Sequence, residues 1–315
     1  CQYAYERNNG NTSFKLKSIV NLSAEELCNY YPKGHIRILV GCAPCQPFSK
    51  YTQGLDKLDD HKWGLLHEFA RLVNDLRPEI ISMENVPEIR RHSVFLSFTS
   101  SLKNAGYHIS QQEVFSPDFG VPQQRKRLVL LASLLGPISL LKPQKSKTPR
   151  TVREAIAHLP AIQAGNEHSE DAMHRACRLS PLNLKRVRVS RPGGSWRDWP
   201  PDLVSKCHRA KSGQTYPSVY GRMEWDQPSP TITTQFFGFG NGRFGHPEQD
   251  RAITLREGAI LQSFPENYEF VPKGQPVSFA TLGRMIGNAV PVRLGEEIGR
   301  SIRHHLKNVI SKLRQ

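Results

Sequence analysis

Residues Gly41 to Ser49, GCAPCQPFS, set two cysteines three positions apart and place the second, Cys45, between Pro44 and Pro47. Each proline fixes its own φ, so the loop is stiff and a thiol carried on it is held in one place. A thiolate so held is a soft nucleophile, able to add covalently to an electrophilic carbon. Three other chemistries fit the same letters. Cys42 and Cys45 could be half of a zinc site, although no second close pair exists and Cys177 and Cys207 lie far along the chain. They could be a redox pair, although Pro-Cys-Gln-Pro is a poor match for a strand-to-helix redox turn. Or both could be small buried hydrophobes, the common fate of a thiol outside a disulfide. The local sequence leaves these open.

Three further segments carry polar side chains in chemically useful places. Met83 to Ile89, MENVPEI, puts Glu84 at the end of an apolar run, where its carboxylate could face the same crevice as Cys45; its plainer reading is a solvated acid or a helix cap. Phe119 to Leu131, FGVPQQRKRLVLL, carries Gln123, Arg125 and Arg127 into another apolar run. On extended backbone Arg125 and Arg127 share a face, and an ordinary basic strand start would look the same. Ile286 to Pro291, IGNAVP, reads as a tight turn opening the last helix, whose N-terminus would suit a polar ligand or simply need a cap. Gly240, Gly242 and Gly245 match a dinucleotide fingerprint letter by letter, but HPEQD follows and opens no helix, so the segment reads as a flexible, backbone-exposed loop.

The elements that must position these residues follow from periodicity. Ser23 and Glu26 form a capping-box pattern before a short helix ending near Tyr31. Ile36 to Cys42 reads as a buried strand. Leu65, Leu66, Phe69, Leu72, Val73 and Leu76 recur at helical spacing, and Pro78 ends that helix. Glu79 to Met83 is a second buried strand, Phe95 to Ala105 is helical, Tyr107 to Phe115 is extended, and Arg127 to Leu131 is a strand. Strands alternating with helices predict a parallel sheet with helices on its faces, and ligands bind such sheets at the carboxyl ends of the strands. From Leu135 to about Asp250 the chain turns rich in Pro, Gly, Arg and Trp, which reads as an irregular insertion of loops and short strands. Thr151 with Glu154 caps the one short helix within it; beyond it, Thr254 with Glu257 caps a second. Leu294, Ile298, Ile302, Leu306, Ile310 and Leu313 form one stripe on the final helix.

Among the 315 residues, 43 are Lys or Arg and 28 are Asp or Glu, leaving a net charge of +15. Such an excess points to a polyanionic partner, nucleic acid or an anionic membrane surface. No apolar run of about 18 residues could cross a bilayer. With 38% hydrophobic residues the chain is globular, and six irregularly spaced cysteines fit a reducing, cytoplasmic setting better than a disulfide framework.

In order and spacing, PCQPFS, ENV, QQRKRL, LREGAILQSFP and IGNAVP resemble the segments of the DNA (cytosine-5)-methyltransferase family of bacterial restriction-modification type. They span Gly41 to Pro291. The resemblance implies an α/β fold, a Rossmann-like class I methyltransferase with a mostly parallel sheet and a smaller target-recognition domain. It places the catalytic domain at 1–140, target recognition at 141–270 and the return of the catalytic domain at 271–315. It makes Cys45 the nucleophile that adds to carbon 6 of a flipped-out cytosine, so that carbon 5 can take a methyl group from S-adenosylmethionine. Glu84 would contact N3 and the exocyclic amine, Arg127 the O2 edge, with Arg125 in the same catalytic segment. Pro44, Leu65, Asn288 and Val290 would touch the cofactor, and no metal is implied. YGRMEWDQPSPTITT is similar to the end of the family's target-recognition region. Contacts to double-stranded DNA would come from Gln123, Lys185, Arg186, Arg188, Arg191, Arg197, Arg209, Lys211, Thr231 and Thr233.

The sequence also departs from that family. No Phe-x-Gly-x-Gly segment or following acidic residue is present, and Ser18 stands where the family has an Asp for the adenine. The expectation is that a first strand precedes Cys1 in the whole enzyme, and that the chain as it stands binds S-adenosylmethionine weakly and is inactive alone. A monomer working beside a cognate restriction endonuclease is the expected setting. Two other readings fit: a non-catalytic DNA-binding subunit that kept the recognition region, and a tRNA cytosine-5 methyltransferase. The long basic insertion favours a reader of duplex DNA over the latter.

Overall fold

The computed structural model describes residues 1–43, 64–143 and 148–313. In chain order the helices are α1 (Gln2–Asn8), α2 (Ala24–Cys28), α3 (Gly64–Leu76), α4 (Ser93–Asn104), α5 (Val152–Ile156), α6 (Pro181–Val189), α7 (Lys206–Arg209), α8 (Leu255–Leu261), α9 (Phe279–Asn288) and α10 (Val292–Leu313). The strands are β1 (Ile38–Gly41), β2 (Ile80–Asn85), β3 (His108–Phe115) and β4 (Lys126–Ser133). Contacts divide the chain into two compact units: residues 1–14, 116–125 and 145–294 form one, and residues 15–115, 126–144 and 295–315 the other. These boundaries interleave in sequence, as the expected domains also do, with other bounds.

The second unit holds a four-stranded sheet in the order β1-β2-β4-β3. β1 and β2 are parallel, as expected of strands joined through a helix, while β4 pairs antiparallel with both β2 and β3. The sheet is therefore mixed, and the mostly parallel sheet predicted for the chain is corrected for the described strands. The cause is local: only residues 116–125 separate β3 from β4, too few for the helical crossover that a parallel pair requires. All six residues of β2 are buried, as its apolar run predicts. β1 does not match its prediction as a buried strand. It is at best half-buried, Val40 is 65% exposed, and β1 pairs with one described neighbour.

Alternation across the strands sorts side chains onto two faces. Ile81 and Met83 of β2 join Leu128, Leu130 and Ala132 of β4 in a core with Leu66, Phe69 and Val73 of α3 and Phe95, Phe98 and Leu102 of α4. Each such aliphatic or aromatic side chain contributes about 2 kcal/mol by leaving water. The predicted stripe on α3 is thus mostly inward, except that Leu65 stays 40% exposed. On the other face lie Ile80, Ser82 and Glu84, beside Val129, Leu131 and Ser133. There the Ser133 hydroxyl lies 2.8 Å from His305 Nε2 of α10. The α10 stripe is buried at Ile298 and Ile302 and emerges at Ile310, which is 44% exposed.

The first unit is built around α8, whose seven residues are all buried. Thr254 and Glu257 cap it reciprocally, as predicted, and Thr151 and Glu154 do the same for α5. Ser23 caps α2, which ends at Cys28 rather than near Tyr31. The insertion is more ordered than its composition suggests. Residues 181–189 form α6 where loops and short strands were expected, started by a Ser180 cap and Pro181 in the first turn. IGNAVP also differs from its reading: Gly287 and Asn288 close α9 rather than opening the final helix, which begins at Val292. The glycine is required by packing. A Cβ on Gly287 would stand 2.4 Å from the Thr233 carbonyl, and one on Gly283 would stand 2.3 Å from the Phe237 ring. Gly240 to Gly245 is not an exposed loop either, since Phe244 within it and Phe239 just before it are buried.

Arg251 and Glu257, at 0% and 1% side-chain exposure, meet through two hydrogen bonds of 2.8 and 2.7 Å. Burial would raise the Glu257 carboxyl, but the Arg251 guanidinium outweighs it and holds the group down to about 2. Beside them, burial takes the His246 imidazole down to about 4, against the partly offsetting pull of Glu257. Its Nδ1 accepts the Gln249 amide at 2.9 Å, which requires the neutral ring. Between pH 6.5 and about 4 the unfolded chain therefore holds a proton on His246 that the folded chain lacks. Stability is complete above that window and falls as pH drops through it, by about 3 kcal/mol. Glu257 extends the loss from pH 4.5 toward 2. Urea midpoints measured across this range are expected to fall with acidification, and His246→Gln to flatten the part above pH 4.

Candidate active site

β1 and β2 run parallel, so their carboxyl ends lie at the same edge of the sheet. Gly41 pairs with Met83, which leaves Cys42 and Ala43 beside Glu84 and Asn85 as the chain leaves β1. The approach is close because Gly41 lacks a side chain; a Cβ there would stand 2.5 Å from the Phe69 ring. The Cys42 thiol donates to Glu84 Oε2 at 3.1 Å, and the Asn85 amide donates to the Ala43 carbonyl at 3.1 Å. Pro44 and Cys45 come next in sequence and lie outside the described residues.

Glu84 pairs across the ladder with Val129, so Arg127, two residues from Val129, is its diagonal neighbour on the same face. Arg127 Nε stands 2.9 Å from Glu84 Oε1. The approach is off the N–H direction, so Oε1 has a positive charge beside it and no aligned donor. Both side chains are largely withdrawn from water, at 7% for Glu84 and 13% for Arg127. The result is an anchored carboxylate, one oxygen of which accepts no hydrogen bond among the described residues. Sequence reading found Glu84 and Arg127, weighed Cys42 as a zinc ligand, redox partner or buried hydrophobe rather than as a donor to Glu84, and missed Asn85. The signal for Asn85 was its place at the end of a strand parallel to the one that leads to Ala43.

The other candidates lie elsewhere. Arg125 precedes β4 and belongs to the first unit, where its guanidinium donates to the carbonyls of Ile232 at 3.2 Å and Ala289 at 3.4 Å. Sharing a face with Arg127 is thereby corrected: one arginine is taken up by backbone carbonyls, the other by Glu84. Gln123 is wholly buried, donates to Gln262 Oε1 at 2.9 Å and accepts from the Ile232 amide at 2.9 Å. It is a brace inside the first unit, and the DNA contact expected of it is corrected. Thr231 donates to the Gln124 carbonyl at 2.7 Å, while Thr233 is exposed. Leu65 and Asn288 are exposed and Val290 is half-buried.

Of the basic residues assigned to DNA, Arg186 is corrected as well. It is buried and bound to Leu203 O at 2.9 Å and Ser205 Oγ at 2.7 Å, with its guanidinium over the Trp199 and Tyr220 rings. Lys185, Arg188, Arg191, Arg197, Arg209 and Lys211 are exposed. Arg188 lies 3.4 Å from Asp250, Arg191 3.5 Å from Asp198, and Arg197 donates to the Gln214 carbonyl at 2.7 Å. Among the described residues no cluster of three or more His, Cys, Asp or Glu could hold a metal ion. No described helix is long and apolar enough to cross a membrane.

Solved structures share this fold. A prophage-encoded E. coli protein described as a DNA modification methyltransferase superposes with a TM-score of 0.71, at 21% identity, over 97% of this chain and 90% of its own. The Entamoeba histolytica methyltransferase EhMeth gives 0.60 at 16% identity, over 97% and 87% of the two chains. Sequence takes the assignment further. Residues 1–304 match the model of the C-5 cytosine-specific DNA methylases, and the chain belongs to that family. It is 52% identical to the Type II methylase M.HgiDII of Herpetosiphon aurantiacus, over 100% of this chain and 89% of that one. It is 31% identical to the Type II methyltransferase M1.HphI of Haemophilus parahaemolyticus, over 91% of this chain and 73% of that one. The enzyme class is DNA (cytosine-5)-methyltransferase.

The Glu84–Arg127 contact carries a prediction for stability. Arg127→Leu would leave a buried carboxylate without its counter-charge, a loss of about 3 kcal/mol. Arg127→Leu combined with Glu84→Leu is expected to recover most of it. Denaturant unfolding of the two single variants and the double variant reads this directly.

Proposed function

We propose that this chain methylates carbon 5 of a cytosine flipped out of duplex DNA, through a covalent adduct with Cys45. The observation that carries the reading is the Glu84 carboxylate, held at the carboxyl edge of the sheet by Arg127 and by Cys42, which precedes Cys45 by three residues in sequence. A cytosine whose amine donates to Glu84, and whose N3 takes up a proton held between the two, has its ring polarised toward addition at carbon 6. The Cys45 thiolate adds there, and the displaced electron pair makes carbon 5 nucleophilic. Carbon 5 takes the methyl group; a base then removes its proton, the carbon 5–carbon 6 double bond re-forms, and the thiolate leaves. Arg127 offsets the charge that gathers on the ring and on Glu84. Asn85 fixes the backbone at Ala43, two residues before the nucleophile.

S-adenosylmethionine supplies the methyl group from its sulfonium. The described residues suit it in kind: Leu65 offers exposed apolar surface, and Asn288 an exposed amide. Pro44 and Val290 complete the set that the resemblance implies. The exposed Lys185, Arg188, Arg191, Arg197, Arg209 and Lys211, with Thr231 and Thr233, would meet phosphates and bases of the duplex. The charge of +15 supports such a partner, and neutralised phosphates would offset the few kcal/mol that base extrusion costs. We place the enzyme in the cytoplasm as a monomer, beside a restriction endonuclease sharing its recognition sequence. Residues 141–270 carry target recognition, and 1–140 with 271–315 the catalytic domain.

Cys45→Ser is expected to abolish methyl transfer while keeping duplex binding in a gel-shift assay; normal turnover by that variant would end the covalent reading. A duplex carrying 5-fluorocytosine at the target is expected to trap a protein–DNA adduct stable to denaturing electrophoresis, because fluorine cannot leave as the proton does. Glu84→Gln should lower kcat by about a hundredfold or more, since an amide cannot pass a proton to N3 as the ring takes up the negative charge of the thiolate.

A further inference from the structure

In the first unit three stretches of backbone cross at a distance that only glycine allows. Gly193 N donates to the Arg222 carbonyl at 3.1 Å, Gly245 N to the Gly221 carbonyl at 2.9 Å, and Met223 N to the Gly245 carbonyl at 2.9 Å. A Cβ on Gly221 would stand 2.8 Å from the Gly194 carbonyl and 2.9 Å from Cγ of Arg243. The stem of Arg243 thus lies flat against the crossing. Just before Gly221, Tyr220 holds a left-handed backbone, φ 59°, that costs a residue with a side chain about 1 kcal/mol. The crossing is kept in this shape despite that strain.

Arg243 stands apart from its neighbours in what it bonds. Arg222, also buried there, donates to the carbonyls of Val187, Ser190, His246 and Gln249 and reaches Asp250. Arg186 and Arg251 are likewise satisfied. Arg243 is half-buried, its Nε is shut off from water, and that Nε has no hydrogen-bond partner. A guanidinium carries five donors in a fixed fork, and leaving a buried donor unmade costs about 1–3 kcal/mol. That sealed Nε holds the side chain against the crossing, while the two terminal nitrogens donate to no described residue and are the ones an acceptor from outside the protein can reach.

We propose that Arg243 is a sequence-reading residue, which takes the paired acceptors O6 and N7 of a guanine in the major groove beside the target cytosine. This rests on the cytosine-5 methylation reading. The choice of a base over a phosphate follows from the stem. Phosphates are met well by mobile, exposed cations such as Arg191 or Lys211. A fork whose stem is immobilised against glycine backbone is preorganised for a bidentate pair, where angle matters as well as charge. Lysine would restore the charge and not the fork.

The test compares the wild-type enzyme with R243A and R243K on duplexes in which the bases flanking a cytosine are randomised, reading 5-methylcytosine by sequencing. Wild-type methylation is expected to require guanine at one fixed position. Both variants are expected to lose about ten- to a hundredfold of the preference at that position alone, with the salt dependence of duplex binding unchanged. Three results would overturn the proposal. One is an even loss across all contexts with a salt slope smaller by about one, which marks a phosphate contact. Another is an unchanged context preference with a lowered Tm, which marks a structural role. The third is retention of the guanine requirement by R243K. Absence of 5-methylcytosine with the wild-type enzyme would overturn the underlying reading along with this one.

Discussion

A carboxylate placed in the interior of a sheet must be given a counter-charge and a donor, or its burial is costly. Glu84 receives both, from Arg127 across the β2–β4 ladder and from Cys42 at the end of β1. The rest of the second unit serves that placement. β2 is buried along its whole length, so its last residues cannot shift register without exposing Ile80, Ile81 and Met83. The antiparallel partner β4 brings Arg127 to the diagonal position, which a parallel neighbour in the same slot would not do in the same way. Gly41 lets β1 lie close under Phe69, and Asn85 ties down the backbone beyond it. One ion pair therefore depends on register, strand direction and a missing side chain together.

Much of this was legible in the sequence, and the failures have physical reasons. Apolar runs, helical stripes and capping boxes showed: β2, α3, α4 and the capped helices α5 and α8 are where the pattern put them. Strand direction was not legible, because alternation of apolar and polar residues is the same in parallel and antiparallel ladders. β1 was misread as buried because a short apolar run such as Ile38, Leu39 and Val40 looks the same whether a strand is covered or exposed. The helix at Pro181 was missed because its apolar face is weak among basic residues, although Ser180 and Pro181 were a usable start signal.

The candidate site divides along the same line. Glu84 and Arg127 could be named because short motifs carry them, and Asn85 could not, because its role is a hydrogen bond to a backbone carbonyl of another strand. Gln123, Arg125 and Arg186 were read as outward because they are polar, and each is turned inward to satisfy carbonyls or side chains that would otherwise be orphaned. Composition counts charges and does not report which of them are spent on the protein's own carbonyls. The same blindness applies to glycine. Gly287 looked like a turn residue, and it is the floor on which the Thr233–Thr234 backbone rests.

The glycine crossing at 193–194, 221 and 245 has a consequence for how such a protein can diversify. Its hydrogen bonds run between main-chain atoms, which are indifferent to the identity of the residues on either side. Outward-facing positions of those loops can therefore be exchanged without dismantling the frame that presents them, while the glycines themselves cannot. A lineage built on such a frame can drift from one target word to another in single steps, and remain folded at each of them.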